Sequence, residues 1–123
     1  EEWRTQKLVK ELLAKYFTTK PDGIPGNDDT GTMSAWAIFN MMGFYPDCPG
    51  EPAYTLSTPV FDKVTIKLDP KYWGRDQLVI ETERPSAESL YIREMELGGK
   101  KLSRYRITHE ELVQSGKLRF SLR

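Results

Sequence analysis

The sequence is poor in the residues that build disulfide frameworks and metal centres. Its 123 residues include one cysteine and one histidine. A single cysteine excludes a disulfide within the chain, and one thiol with one imidazole is too small a ligand set for a structural zinc site. The same counts leave little room for a histidine-rich metal site or for a nucleophile activated by histidine.

The chain also lacks an excess of charge of either sign. Its 18 lysines and arginines balance 18 aspartates and glutamates. A protein that binds nucleic acid by neutralising phosphates needs surplus cations, so no nucleic-acid partner is expected. Five phenylalanines, six tyrosines and three tryptophans argue against a disordered acidic tail. The length is that of one domain, and 38% hydrophobic residues are enough for a modest core.

No hydrophobic run is long enough to cross a bilayer, which takes about 20 residues. The most apolar segment covers residues 32–45 and is shorter than that. The chain begins with Glu1, and its first residues do not have the pattern of a signal peptide, which is a basic segment followed by an apolar run and a small-residue cleavage site. We therefore predict no membrane span, and we expect the chain to be a piece of a longer protein.

Two helices are predicted in residues 1–50. The first covers residues 6–17, where an apolar stripe repeats with the period of an amphipathic helix and consists of Val9, Leu12, Leu13 and Tyr16. The second covers residues 32–45, with Thr32 or Ser34 available as its N-cap. It is apolar nearly all round and must be buried on every side. Because a chain of this size offers little to bury it, we expect missing partner helices or self-association.

Strands are predicted in residues 51–123, where the hydrophobic period changes to two. Val64 and Ile66 alternate with polar residues, and Gly98-Gly99 is a good two-residue hairpin turn. Thr108 and Glu111 have the spacing of a capping box and open a short helix. The predicted fold is α+β: a helical segment over residues 1–50, then a small antiparallel sheet or sandwich over residues 51–123.

The loop between the two helices is the most informative stretch. It runs from Pro21 to Gly31 and holds Asn27, Asp28 and Asp29 directly before the second helix. One interpretation is structural, since carboxylates and amides cap helix N-termini, which carry partial positive charge. The other is a carboxylate site for acid–base chemistry or for a metal. The spacing is not that of an EF-hand, and no phosphate-binding Gly-Lys-Ser/Thr follows.

Other residues with chemical potential have weaker context. His109 falls inside the capping-box segment without a nucleophile or metal-ligand spacing beside it, so a structural role is favoured. Cys48 lies between two prolines with no adjacent basic residue to lower its pKa, which favours a spectator. Trp3 and Trp73 have side chains that can stack on a sugar ring or pack in a core.

Several motifs together resemble the C-terminal part of glycoside hydrolase family 92. They are the run from Gly26 to Trp36 (Gly-Asn-Asp-Asp-Thr-Gly-Thr-Met-Ser-Ala-Trp), Gly43-Phe44-Tyr45-Pro46 and Cys48-Pro49-Gly50. The similarity continues through Ser57 to Val64 and reaches Ser115-Gly116-Lys117-Leu118. It covers almost the whole chain.

This resemblance implies the activity and setting of the longer protein. Family members are bacterial, exo-acting, inverting α-mannosidases that depend on calcium, and many act on α-1,2-linked mannose. Their fold has an N-terminal β-sandwich and an α/α toroid, so the two helices here would come from that toroid. The resemblance thus implies a mannose-containing glycan as substrate, a secreted or periplasmic location, and upstream domains of the same chain as partners.

The resemblance also implies roles within the loop. The family loop often reads Asp-Glu-Asp where this chain has Asn27-Asp28-Asp29. The matching general base is Asp29, with Asn27 and Asp28 in supporting positions. The general acid would lie upstream, outside this chain, and no calcium ligand is assigned within it. We therefore expect the isolated chain to be inactive. The alternative function is a non-catalytic carbohydrate-binding or structural α+β domain.

Overall fold

The computed structural model describes residues 1–123 and contains four helices and eight strands. The elements in chain order are α1 (Glu2–Tyr16), α2 (Thr32–Met42), β1 (Phe44–Tyr45), β2 (Ala53–Leu56), β3 (Lys63–Lys67), α3 (Pro70–Trp73), β4 (Gln77–Glu83), β5 (Ile92–Leu97), β6 (Lys100–Leu102), β7 (Arg106–Thr108), α4 (His109–Ser115) and β8 (Lys117–Leu122). The predicted α+β class is confirmed. No helix is long and apolar enough to cross a membrane.

Strand β8 lies in the middle of a five-stranded sheet with the order β3-β4-β8-β5-β6. It pairs antiparallel with β5 but parallel with β4, with Ile80 opposite Leu118. The prediction of an antiparallel unit is therefore wrong at this one pair. Alternation along a strand fixes which face is buried, but it carries no information about the direction of the neighbouring strand.

The core lies on one face of this sheet. Three alternating residues of β8 are almost inaccessible: Leu118 and Phe120 are 0% exposed and Leu122 is 1% exposed. Leu78 and Ile80 of β4 are buried against them. The opposite face carries ion pairs across strands, for example between Lys117 and Glu81 at 2.7 Å. A two-residue turn at Gly98-Gly99 joins β5 and β6, as predicted.

The second predicted helix ends earlier than expected. Helix α2 stops at Met42, and Gly43 takes a left-handed φ of 96°. Added side-chain bulk there would lie 2.6 Å from Pro59 Cγ, so glycine is needed for space as well as for conformation. Phe44 and Tyr45 then form β1, which pairs with β2 across the boundary predicted at residue 50. Together with β7 these strands make a three-stranded sheet.

Helix α2 is not buried on every side within this chain. Ala37 and Asn40 are buried, whereas the side chain of Ile38 is 52% exposed. The rings of Phe39 and Phe44 pack edge to face at 5.5 Å between centroids, which folds β1 back along the helix. The expectation that a further surface covers the exposed side stays a prediction.

A buried hydrogen bond fastens α1 to the five-stranded sheet. Gln6 is only 2% exposed, and its Oε1 accepts a hydrogen bond from the Ile92 amide at 2.9 Å. Of the predicted apolar stripe, Leu13 is buried and Tyr16 is 41% exposed. A polar side chain therefore supplies the most buried contact of this helix with the start of β5.

We predict that Gln6→Met weakens the attachment of α1. Methionine keeps the length of the side chain but removes the acceptor, and an unsatisfied buried amide costs about 1–3 kcal/mol. Exchange of the Ile92 amide with solvent deuterium, followed by mass spectrometry, is expected to speed up about tenfold or more. Gln77→Ala, at an exposed position in β4, is the control. An unchanged exchange rate at Ile92 in Gln6→Met would contradict the assignment.

Candidate functional site

The side chain of Asp28 is committed to the start of α2. Its Oδ1 accepts hydrogen bonds from the Ser34 amide at 2.9 Å and from the Ser34 hydroxyl at 3.0 Å. The first amides of a helix have no partner within the helix, and a carboxylate there also meets the positive end of the helix dipole. The structural interpretation of the loop thus applies to Asp28.

Main-chain carbonyls of the loop bind the other free amides of this turn. The Asp28 carbonyl accepts from the Met33 amide at 3.2 Å, and the Asp29 carbonyl accepts from the Thr32 amide at 3.4 Å and from the Thr32 hydroxyl at 2.7 Å. The N-cap residue is Gly31, and its position receives no side-chain cap. The prediction of Thr32 or Ser34 as N-cap is therefore wrong: the loop folds back so that Asp28 takes that task.

The backbone is strained at Asp29 and Thr30. These two are the only non-glycine residues of the chain with positive φ, at 47° and 64°. A left-handed conformation costs about 1–2 kcal/mol for a residue with a Cβ. Thr30 is β-branched, which makes the conformation more unusual still. Such strain persists only where surrounding contacts enforce it, and it concentrates at functional sites.

The three predicted site residues therefore differ in what they do. Asp28 is half-buried and bonded to α2, whereas Asn27 and Asp29 are exposed. The Asp29 side chain forms no hydrogen bond within the chain, so its carboxylate is free to meet water or a ligand, while its carbonyl is held by α2. Of these two adjacent carboxylates, Asp28 has a structural role and Asp29 is accessible to a ligand.

The acidic, histidine and cysteine side chains of this chain do not gather around one point. No group of three or more histidine, cysteine, aspartate or glutamate side chains lies close enough together to hold a metal ion. Calcium takes about six to eight oxygen ligands. One oxygen of Asp28 already accepts two hydrogen bonds, whereas Asp22 and Asp29 are the exposed carboxylates of the loop. The residues present do not fit a complete calcium site.

The other candidates lie elsewhere in the chain. His109 opens α4, and its Nδ1 lies 2.8 Å from the Tyr54 hydroxyl, as a structural histidine would. The predicted capping box at Thr108 and Glu111 is confirmed in both of its hydrogen bonds. Trp73 packs edge to face on the His109 ring at 5.0 Å. No pattern in the sequence predicts this contact, because it joins α3 and α4 through the fold.

The family model described as the Glycosyl hydrolase family 92 catalytic domain matches residues 1–123. The chain belongs to this family. A relative from Arthroderma benhamiae, described as an uncharacterized secreted glycosidase, is 36% identical over 117 residues. That alignment covers 94% of this chain and 15% of the relative.

Solved structures of family 92 share this fold. An α-mannosidase of the family from Bacteroides thetaiotaomicron, in complex with mannoimidazole, is 31% identical with a TM-score of 0.87. An inverting mannosidase of the family from the same organism is 37% identical with a TM-score of 0.85. They align with 100% and 99% of this chain, and the chain covers 16% of each. The family 92 chain described here thus spans about a sixth of the length of these relatives.

We predict that Asp28→Ala loosens the loop of this family 92 chain, whereas Asp28→Asn does not. Alanine removes the acceptor for the Ser34 amide, and the loss of such a cap costs about 0.5–2 kcal/mol. Asparagine keeps an oxygen in the same place. Thermolysin is expected to cleave next to Ile24 and Met33 faster in the alanine variant than in the wild type. Equal cleavage of both variants would contradict the capping role.

Proposed function

We propose that Asp29 is the general base of an exo-acting, inverting α-mannosidase formed by the longer protein to which this chain belongs. The observation that carries the proposal is the strained loop, in which Asp29 and Thr30 alone combine a side chain with a left-handed backbone. Membership of family 92 supports the hydrolase class, and one similar structure is that of an inverting mannosidase.

The proposed step needs one carboxylate on this chain and one acid elsewhere. The Asp29 carboxylate takes a proton from a water molecule as the water oxygen bonds to the anomeric carbon. The bond from that carbon to the leaving oxygen breaks, and an acid outside residues 1–123 protonates the oxygen. Inverting enzymes hold the two carboxyl groups about 6.5–9.5 Å apart so that the water fits between base and sugar.

Asp29 fits the base better than its two neighbours. Its carboxylate is exposed and has no hydrogen bond within the chain, so the oxygens can accept one from water. The Asp28 oxygen that accepts from the Ser34 amide could bind a water in place of that amide only by leaving the first turn of α2 without its cap. Asn27 has no titratable group and can only orient a water. We propose supporting roles for Asn27 and Asp28, the latter by fixing the position of Asp29.

The substrate we propose is a terminal α-1,2-linked mannose of a glycan. The mannosidase class follows the similar structures, one of which holds mannoimidazole. The linkage follows only the resemblance of the loop and of the motifs after α2. A secreted or periplasmic bacterial location is proposed on the same ground, and the secreted relative is consistent with export.

We further propose that the longer protein requires calcium, held mainly by ligands outside residues 1–123. The absence of a side-chain ligand cluster within this chain is the reason for that division. A bound divalent cation would supply charge and orientation for the sugar hydroxyls.

The alternative, a non-catalytic carbohydrate-binding domain, has less support. The model of a catalytic domain matches all 123 residues, including both the loop and the β-rich half. A loop that exposes the Asp29 carboxylate on a strained backbone is also more than a binding domain requires.

We predict that Asp29→Asn in the longer protein lowers kcat on α-1,2-mannobiose by about 10²–10⁴-fold, the usual contribution of a general base. Asparagine has nearly the same size but cannot take the proton. Asp22→Asn is the matched control, because Asp22 is an exposed carboxylate of the same loop. Turnover in Asp29→Asn equal to that in Asp22→Asn would contradict the assignment.

A second readout separates a lost base from a damaged loop. Azide can attack the anomeric carbon without giving up a proton. It is therefore expected to restore turnover of an activated α-mannoside by the Asp29→Ala variant. The product would be the β-mannosyl azide, since the new bond forms on the opposite face of the ring. Absence of rescue together with a changed circular dichroism spectrum would indicate a structural role for Asp29.

We predict that a calcium chelator abolishes the activity of the longer protein and that added calcium restores it. Removal of an ion held outside this chain should leave exchange of the Ser34 amide unchanged, because Asp28 holds that amide without a metal. Full activity after exhaustive chelation would contradict the calcium requirement, and faster exchange at Ser34 would contradict the placement of its ligands.

A further inference from the structure

A cleft of about 340 Å³ lies between α3 and α4, on the part of the chain that the loop mechanism does not use. Its volume falls in the lower range of small-molecule sites. The lining combines aromatic, apolar and hydrogen-bonding side chains: Tyr72, Trp73, His109, Glu110, Val113 and Gln114.

The indole of Trp73 is held in place at one side of the cleft. The short helix α3 is fixed by Asp69, whose Oδ1 accepts from the Lys71 amide at 2.9 Å and whose carbonyl accepts from the Trp73 amide at 3.1 Å. The ring packs edge to face on His109 and remains 43% exposed. Because Trp73 stays partly exposed beside this contact, it offers apolar ring surface on which a ligand can stack.

The ring of His109 is itself held in place by Tyr54. Its Nδ1 lies 2.8 Å from the Tyr54 hydroxyl, and the Tyr54 ring packs edge to face on Phe44 at 4.9 Å. Burial raises the pKa of Tyr54, so this hydroxyl keeps its proton. The aromatic side of the cleft is thus pre-organised, and a ligand does not have to order it.

The polar side of the cleft is suited to an uncharged ligand. Gln114 Nε2 donates to Glu110 Oε1 at 2.9 Å, and both side chains are exposed, so an amide and a carboxylate are available together. The lining contains one carboxylate, Glu110, and no lysine or arginine. Two cations lie beside it and are already engaged: the Arg75 guanidinium donates to the Gln114 carbonyl, and Lys71 Nζ lies 5.6 Å from the centroid of the Tyr72 ring. Neutral hydroxyl groups can donate to the carboxylate and accept from the Gln114 amide, which favours an uncharged ligand.

We propose that this cleft is an auxiliary carbohydrate site that binds a neutral hexose of a polysaccharide. Trp73 stacks on the apolar face of the pyranose ring, and Glu110 with Gln114 binds hydroxyl groups at its edge. The choice of mannose as that hexose rests on the proposed function, whereas the site itself rests on the side chains of α3 and α4. The site would hold the polymer while single residues are removed elsewhere.

Trp3 provides a matched control within the same chain. It is also an exposed tryptophan, at 50%, but it lies on α1 with the Arg4 guanidinium 5.3 Å from its ring centroid. It does not line the cleft between α3 and α4. Trp3→Ala therefore removes a similarly exposed indole without removing a built site.

The experiment measures retardation of the longer protein in native gels that contain soluble α-mannan, in an Asp29→Asn background so that the polymer is not consumed. Trp73→Ala is expected to weaken retardation at least about tenfold, since truncation of an aromatic anchor removes most of such a contact. Trp73→Phe should keep part of the binding, and Trp3→Ala should keep all of it. A neutral glucan and a polyuronate serve as comparison polymers.

Gln114→Ala is the second variant, because its exposed side chain can be removed without unfolding the chain. It is expected to weaken retardation several-fold while the aromatic side stays intact. Equal retardation of Trp73→Ala, Gln114→Ala and Trp3→Ala would overturn the site. Retardation by the polyuronate as strong as by mannan would overturn its neutral class, and retardation by the glucan alone would overturn the mannose assignment.

Turnover of 4-nitrophenyl α-mannoside distinguishes the proposed carbohydrate site from the proposed role of Asp29 as general base. With Asp29 present, Trp73→Ala is expected to leave kcat/KM on this small substrate unchanged. A loss of both retardation and small-substrate turnover would contradict an auxiliary site. If the wild-type protein has no mannosidase activity but Trp73 still controls retardation by mannan, the proposed function fails and the carbohydrate site stands.

Discussion

The central position of β8 is the constraint on which the rest of the β-rich half depends. This strand has neighbours on both edges, β4 in parallel and β5 antiparallel, and its inward side chains are among the least accessible of the chain. It is also joined to α4 through Gly116, so the helix that presents His109 is placed by the same strand. Burial of a central strand on one face brings distant segments into one layer and fixes their register.

A continuous path of aromatic rings connects the two halves of the molecule. Trp36 of α2 contacts Tyr45, Phe39 contacts both Tyr45 and Phe44, and Phe44 contacts Tyr54, which in turn contacts His109. The helix that starts at the Asp28–Asp29 loop is thereby packed on the small sheet at several points. Interiors packed in this way are stiff, so the loop is presented by a firm base.

Much of this fold could be predicted from the sequence, but only the features that depend on residues close together in the chain. The alternation at Val64 and Ile66, the turn at Gly98-Gly99 and the capping box at Thr108 all describe interactions between near neighbours. The parallel pairing of β8 with β4 and the hydrogen bond that Gln6 accepts from the Ile92 amide join segments far apart in the chain, which no local period encodes. The loop could be identified as a carboxylate site, but the division between Asp28 and Asp29 required the backbone dihedral angles.

The topology of the five-stranded sheet has a consequence during synthesis. β4 leaves the ribosome well before its parallel partner, because α4 and the β5–β6 hairpin lie between them in the chain. Until residues 117–122 emerge, the β3–β4 and β5–β6 hairpins each have an unpaired edge. Leu78, Ile80 and Met95, which are buried in the folded chain, then lack the cover of β8. Such edges pair readily with other chains. The sheet is therefore protected against such pairing only once β8 has joined the two hairpins.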